Sequence, residues 1–276
     1  MNRLPFFARG AQGERDFRWR GGDVSRLEAL ADAVFALSLT LIVVSLRVPD
    51  TFAELVEDFR QLPVFAACFA ILIWIWHCHF QFHRRYGLED PITIALNAAL
   101  LFTVLAYIYP GRFMFSMLWN GMFLRRGLFV LDELGNPVER VDLPAGVDPA
   151  TLPDAERYQA LMSVDANTHL MLLYGIGFAT VFGLLALMTF RAYRMRERLE
   201  LDERELAITR GTIRAHLITV GVALASCSLS LLGGGWNFFA GISYALLGPL
   251  HAWSGVRLGR TVDRIRPAAE PDAGPA

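Results

Sequence analysis

"ADAVFALSLTLIVVSLRVP" spans Ala31 to Pro49. The stretch is almost wholly apolar, yet it carries Asp32 near its start and Ser38 and Thr40 in its middle. A segment this oily, holding a carboxylate and two hydroxyls, raises the question of which solvent surrounds it. The rest of the chain answers. Of 276 residues, 54% are hydrophobic and 19% charged. The charges sit in short blocks between long apolar runs. About 20 apolar residues are needed for each helix that crosses the hydrocarbon core, so the pattern reads as a multi-pass membrane protein in a lipid bilayer.

The net charge of −1 points to no nucleic acid partner. All 26 basic residues are Arg, which we read as the mark of a GC-rich coding sequence. Cys68, Cys78 and Cys227 lie inside apolar runs. Their odd number and the absence of a CxxC spacing argue against a disulfide framework and against a metal cluster. Residues 1–25 carry many charges and no apolar core ahead of a cleavage site, so they read as a mobile cytoplasmic tail and not a signal peptide. The Pro- and Ala-rich end, "RPAAEPDAGPA", reads as a disordered second tail over 261–276.

Six apolar segments predict six helices, over about 30–48, 62–82, 91–118, 160–190, 211–232 and 236–256. Pro91 suits the first turn of the third. Trp236 suits a membrane interface at the start of the sixth. The first tail, Arg84 and Arg85, the loop "RAYRMRERLELDERELAITRG" and the last tail are all rich in Arg, and all fall on one side. That side is then the cytoplasmic one, with both termini on it. The long loop over 119–158 falls on the other side. Two short runs flanking its "LGNP" predict a small β-hairpin.

The second segment ends "WIWHCHFQFHRR", with His77, His79 and His83 close together. His79 and His83, four apart, share a helix face. His77 and His79, two apart, point roughly 160° away from one another. His169, His216 and His251 are solitary. A metal-dependent enzyme would need further ligands on other helices, so these read as interfacial histidines, with no cofactor and no metal. P-loops, GxGxxG patterns and a "TVGYG" filter do not occur, which excludes a potassium channel of the re-entrant-loop design.

In its wider context, "RLEALADAVFALSLTLIVVSLRVP", the opening stretch places Arg26 six residues before Asp32, with an aliphatic run that ends in Pro. "FAILIWIWHCHFQF" and "GLEDPITIALNAALLFTVLAYIYP" follow. This resembles the transmembrane-protein-175 family of bacterial and lysosomal potassium channels. The family's Phe-Ser-Asp is departed from here, where Leu30 and Ala31 precede Asp32. Trp76, His77, Phe80, Asp90, Asn97 and Pro110 fall where the family pattern would place them. The likeness covers about 26–110 well, and the later segments agree only in number and topology.

The resemblance implies an all-α membrane protein of six transmembrane helices per subunit. It implies a channel domain over 26–260, in a homotetramer whose pore is formed by helix one and passes potassium ions. At 100° per residue, with Leu37 at zero, Leu41 lies at about +40°, Val44 at about −20° and Thr40 at about −60°. Four copies of this stripe would stack as aliphatic rings, and narrow apolar rings block ions by dewetting. Such a stripe is equally the mark of a packing seam, and Thr40 can bond its own i−4 carbonyl. Asp32 lies about 140° from Leu37. With Arg26, Trp76, His77 and Asn97 it is expected to form a polar network that fixes the pore helix. The plainer reading is a carboxylate that favours the helix N-terminus. Two alternatives stay in view. A secondary transporter would show broken helices and an inverted repeat, and neither is evident in the sequence. A membrane enzyme would use the His cluster.

Overall fold

The computed structural model describes residues 17–44, 51–52, 55–56, 59, 62–123, 128–131, 137–141, 158–160, 164–233 and 236–265. The helices are α1 (Arg26–Val44), α2 (Leu62–Tyr86), α3 (Pro91–Phe123), α4 (Val164–Arg194), α5 (Glu203–Ser230), α6 (Trp236–Ser243) and α7 (Leu247–Arg264). Among the described residues, α2, α3, α4 and α5 contain stretches long and apolar enough to cross a membrane.

The helix starts follow from local chemistry. Ser25 and Glu28 form a capping box on α1: the Glu28 amide donates to Ser25 Oγ at 3.1 Å, and the Ser25 amide donates to the Glu28 carboxylate at 3.3 Å. Asp202 and Glu205 repeat the device on α5. Asp90 caps α3, accepting from the Thr93 hydroxyl at 2.6 Å and from the Ile92 amide at 3.1 Å, with Pro91 in the first turn. α2 ends at Gly87, whose φ of 57° is the left-handed closing conformation. A Cβ at Gly87 would stand 2.9 Å from the Arg20 carbonyl oxygen, so glycine also admits the chain that crosses there.

α4 and α5 pack most extensively, followed by α3 with α4. α1 lies at one edge against α2 and α3, and α7 lies at the other against α5. Phe182, Leu185 and Met188 of α4 fill the centre of the core.

Three features depart from the sequence reading. The expected hairpin has a third strand. β1 (Leu128–Leu131) pairs antiparallel with β2 (Pro137–Val141) and with β3 (Tyr158–Ala160), in the order β2-β1-β3, so the chain is not wholly α. The sixth segment is also not one helix. A 3-10 turn, Tyr244–Leu246, separates α6 from α7. Pro249 accounts for the break, because its ring would clash with the Ala245 carbonyl and it has no N–H to donate. A broken helix is therefore present, contrary to the expectation from sequence.

Finally, the first tail does not stay free along all of 1–25. Phe17 is buried, with its ring edge-on to Tyr86 at 5.6 Å. The Arg20 and Gly21 amides each donate to the Arg84 carbonyl at 3.1 Å. Residues 1–16 and the last tail from 266 lie outside the described residues.

Candidate functional site

α1 has two unlike faces. Glu28, Ala31, Phe35, Ser38 and Ile42 are buried, at spacings of three and four, against α2 and α3. Leu30 and Leu37, on the opposite side, are 57% and 53% exposed. Arg26, Asp32, Ala33, Ala36 and Thr40 are exposed too, and Leu41 is half-buried. Val44 closes the helix; its side chain lies outside the described residues.

Both hydroxyls of the opening stretch are satisfied within the helix. Ser38 Oγ donates to the Val34 carbonyl at 2.7 Å and Thr40 Oγ1 to the Ala36 carbonyl at 3.0 Å. Those bonds let a polar atom stay on an apolar helix without a distant partner.

The polar residues expected to form one network fall into separate pairs. Trp76 Nε1 donates to Asp32 Oδ1 at 2.8 Å and so ties α1 to α2. The Trp76 ring stacks on Phe80 at 5.6 Å, and the Arg84 guanidinium lies 5.5 Å from the Phe80 ring centre. His77 pairs with Gln81 at 2.9 Å on an exposed side of α2 and does not meet Asn97. Asn97 pairs instead with His79, at 2.6 Å, in a fully buried contact between α2 and α3. The His79 ring continues to His83 at 4.4 Å and to Phe35 of α1 at 5.8 Å. Among the described residues Arg26 makes no ion pair and does not reach Asp32. Arg84 lies 3.5 Å from Glu28 instead.

The substitution of His79 for His77 has a geometric cause. The two stand on nearly opposite faces of α2. The face with His79 is the one that buries Leu72, Ile75, Phe82 and Tyr86, a periodicity that was present in the sequence.

Two ion pairs that the sequence reading did not single out close the arginine-rich end. Arg20 reaches the buried Glu205 with two nitrogens, at 2.5 and 3.0 Å, and donates through Nε to the Leu199 carbonyl at 2.7 Å. The Arg18 amide adds a bond to Glu205 at 2.8 Å. Arg191 pairs with Asp90 across the ends of α4 and α3. Burial works against the Asp90 charge, but hydrogen bonds from Arg191 and then Thr93 outweigh it and hold the carboxyl down to about 2. The capping signatures at Ser25 and Asp202 were readable. That Glu205 would also take Arg20, 185 residues away, was not.

A bundle of long apolar helices, closed at one end by arginines and leaving one helix half uncovered, defines a multi-pass helical membrane protein. Residues 26–107 match the family described as endosomal/lysosomal potassium channel TMEM175. A potassium channel of Marivirga tractuosa is 34% identical over 239 residues, which cover 85% of this chain and 87% of that protein. The crystal structure of a variant of the potassium channel MtTMEM175, in complex with a nanobody-MBP fusion protein, superposes with a TM-score of 0.68 at 30% identity. The match covers 90% of this chain and 99% of that one. The chain therefore belongs to the TMEM175 family, whose members are channels and not enzymes.

Proposed function

We propose that this protein is a potassium channel of four identical subunits, each contributing α1 to a central pore. The observation that carries the reading is the uncovered face of α1. Exposed apolar residues alone do not single it out, since Phe102 of α3 is 74% exposed and suits lipid. The uncovered side of α1 differs because Arg26 is exposed on it, about 20° around the helix from Leu37, and the exposed Asp32 stands at its edge against Trp76. An ionisable residue set against hydrocarbon is costly, and one beside a water-filled path is not. The names of the matched relatives, potassium channels both, agree with that path.

In this reading Leu37, Leu41 and Val44 form stacked rings, with Leu41 in the middle and Thr40 on the shoulder. The rings limit ion passage by dewetting. The Asp32–Trp76 bond holds α1 on α2, and the His79–Asn97 pair holds α2 on α3. The six crossings are α1 to α5 and then α6 with α7 taken together. Residues 26–260 form the channel domain in the cell membrane. Both termini and the arginine-rich loops face the cytoplasm, and the 119–158 insertion faces the opposite side.

Potassium efflux from liposomes holding the purified protein tests this. Leu41→Ala widens the middle ring and raises the flux while lowering discrimination against sodium. Leu39→Ala, about 160° away on the helix, leaves permeation near that of the wild type. Saturating, proton-coupled flux from the wild type would contradict the channel and point to a transporter.

A further inference from the structure

A cavity of about 80 Å³ lies between α2, α3 and α4, in the half of the bundle away from the arginine-rich loops. A single buried water needs about 10–15 Å³ on this measure, so there is room for several methylene groups. Leu72, Ile75, Val104, Tyr107 and Phe178 form much of the wall, and Ile42 of α1 closes one side. A space lined this way excludes water and suits an apolar occupant.

Two glycines line the cavity, and one of them leaves space open. At Gly177 a Cβ would stand 2.0 Å from the Tyr107 ring, so the tyrosine already uses that space. At Gly111, which also lines the cavity, a Cβ would meet nothing within 4 Å. Among the described lining residues, Arg112 alone is charged.

Depth identifies what enters. Arg112 is 21 residues beyond Pro91, about 32 Å along a helix rising 1.5 Å per residue. The hydrocarbon core is about 30 Å thick. With the start of α3 set at one boundary by the Asp90–Arg191 pair, Arg112 stands at the opposite headgroup level and the cavity lies at acyl-chain depth. We propose that the cavity holds an acyl chain of a membrane phospholipid whose phosphate sits on the Arg112 guanidinium. The chain lies behind Ile42, on the side of α1 opposite Leu37, so an occupied cavity presses the pore helix toward the pore axis. The binding site rests on the membrane placement of the bundle. Only its effect on α1 rests on the channel reading.

Native mass spectrometry of the purified full-length protein with added phosphatidylglycerol tests the site. The wild type retains one lipid per subunit. Gly111→Phe fills the open space and loses it, whereas Gly111→Ala, too small to fill it, keeps it. Gly111→Leu carries the same comparison where phenylalanine prevents assembly. Arg112→Gln weakens retention by about tenfold, the loss of a charge-assisted contact. A Gly111→Phe protein that melts as the wild type and still retains the lipid would overturn the site. Undiminished retention by Arg112→Gln would overturn the headgroup contact. Displacement of the phospholipid by an equal concentration of oleate would overturn the phospholipid assignment in favour of a free fatty acid. These counts are read without ion flux, so a wild type that retains the lipid but passes no potassium contradicts the channel reading alone.

Discussion

α4 and α1 are both apolar helices, and they are packed in opposite ways. α4 touches α2, α3, α5 and α6, and its Phe182, Leu185 and Met188 are at most 1% exposed. α1 touches α2 and α3 along a single stripe and leaves Leu30 and Leu37 more than half exposed. A subunit folds around α4 and is left unfinished at α1. Substitutions in α4 should therefore act on the fold of each subunit, and substitutions on the bare side of α1 should act on the pore of the proposed tetramer.

Phe182→Ala gives the largest expected effect. Phe182 is 0% exposed and meets Trp74 at 4.6 Å and Phe178 at 4.8 Å. Deleting a buried phenylalanine costs about 3–5 kcal/mol. Thermal melting of the purified protein should drop sharply, with ion selectivity unchanged in whatever protein remains folded. A drop under about 1 kcal/mol would mean that α4 is not the centre of the subunit.

Asp32→Asn acts on the seam between the two faces of α1. Asparagine still accepts from Trp76 Nε1 and loses only the charge. The carboxylate is exposed in the subunit, so the stability cost is about 0.5–1 kcal/mol. Current in bilayer recordings should fall by more than that cost explains. Unchanged current would reduce Asp32 to a helix-terminus charge.

The smallest effect is at Asp90. Its pairing with Arg191 and Thr93 lowers the carboxyl from its ordinary 3.8 to about 2. A depressed carboxylate contributes stability above its unfolded value, and that contribution is lost as pH falls through the folded one. Asp90→Asn should therefore shrink the loss of melting temperature between about pH 4 and pH 2 and leave its slope above about pH 5 unchanged. An identical acid limb in wild type and variant would show that the pair contributes nothing.

Much of this was legible in the sequence, for local reasons. Apolar length gave the long helices, and Pro91 gave the start of α3. Alternation around "LGNP" gave β1 and β2, while β3 lies 17 residues beyond β2, and a three-residue strand carries no pattern of its own. The buried stripe of α1 was implicit in 28, 31, 35, 38 and 42, but a membrane helix is apolar on both sides, so hydropathy could not say which side is bare. His77 and His79 share the depth of Asn97, and only helix phase separates the one that meets it. The Arg20–Glu205 clasp joins distant segments, and no local pattern announces it.

The bare face of α1 as the wall of the pore is the central claim. The most direct measurement is thiol block in planar bilayers, in a background with Cys68, Cys78 and Cys227 replaced by serine. Leu37→Cys and Phe35→Cys channels are each exposed to a water-soluble, positively charged thiol reagent while potassium current flows. Current through Leu37→Cys should be abolished and current through Phe35→Cys unaffected, because Phe35 is 3% exposed on the packed side. Block of Phe35→Cys with Leu37→Cys untouched would put the other face of α1 toward the ions and contradict the account.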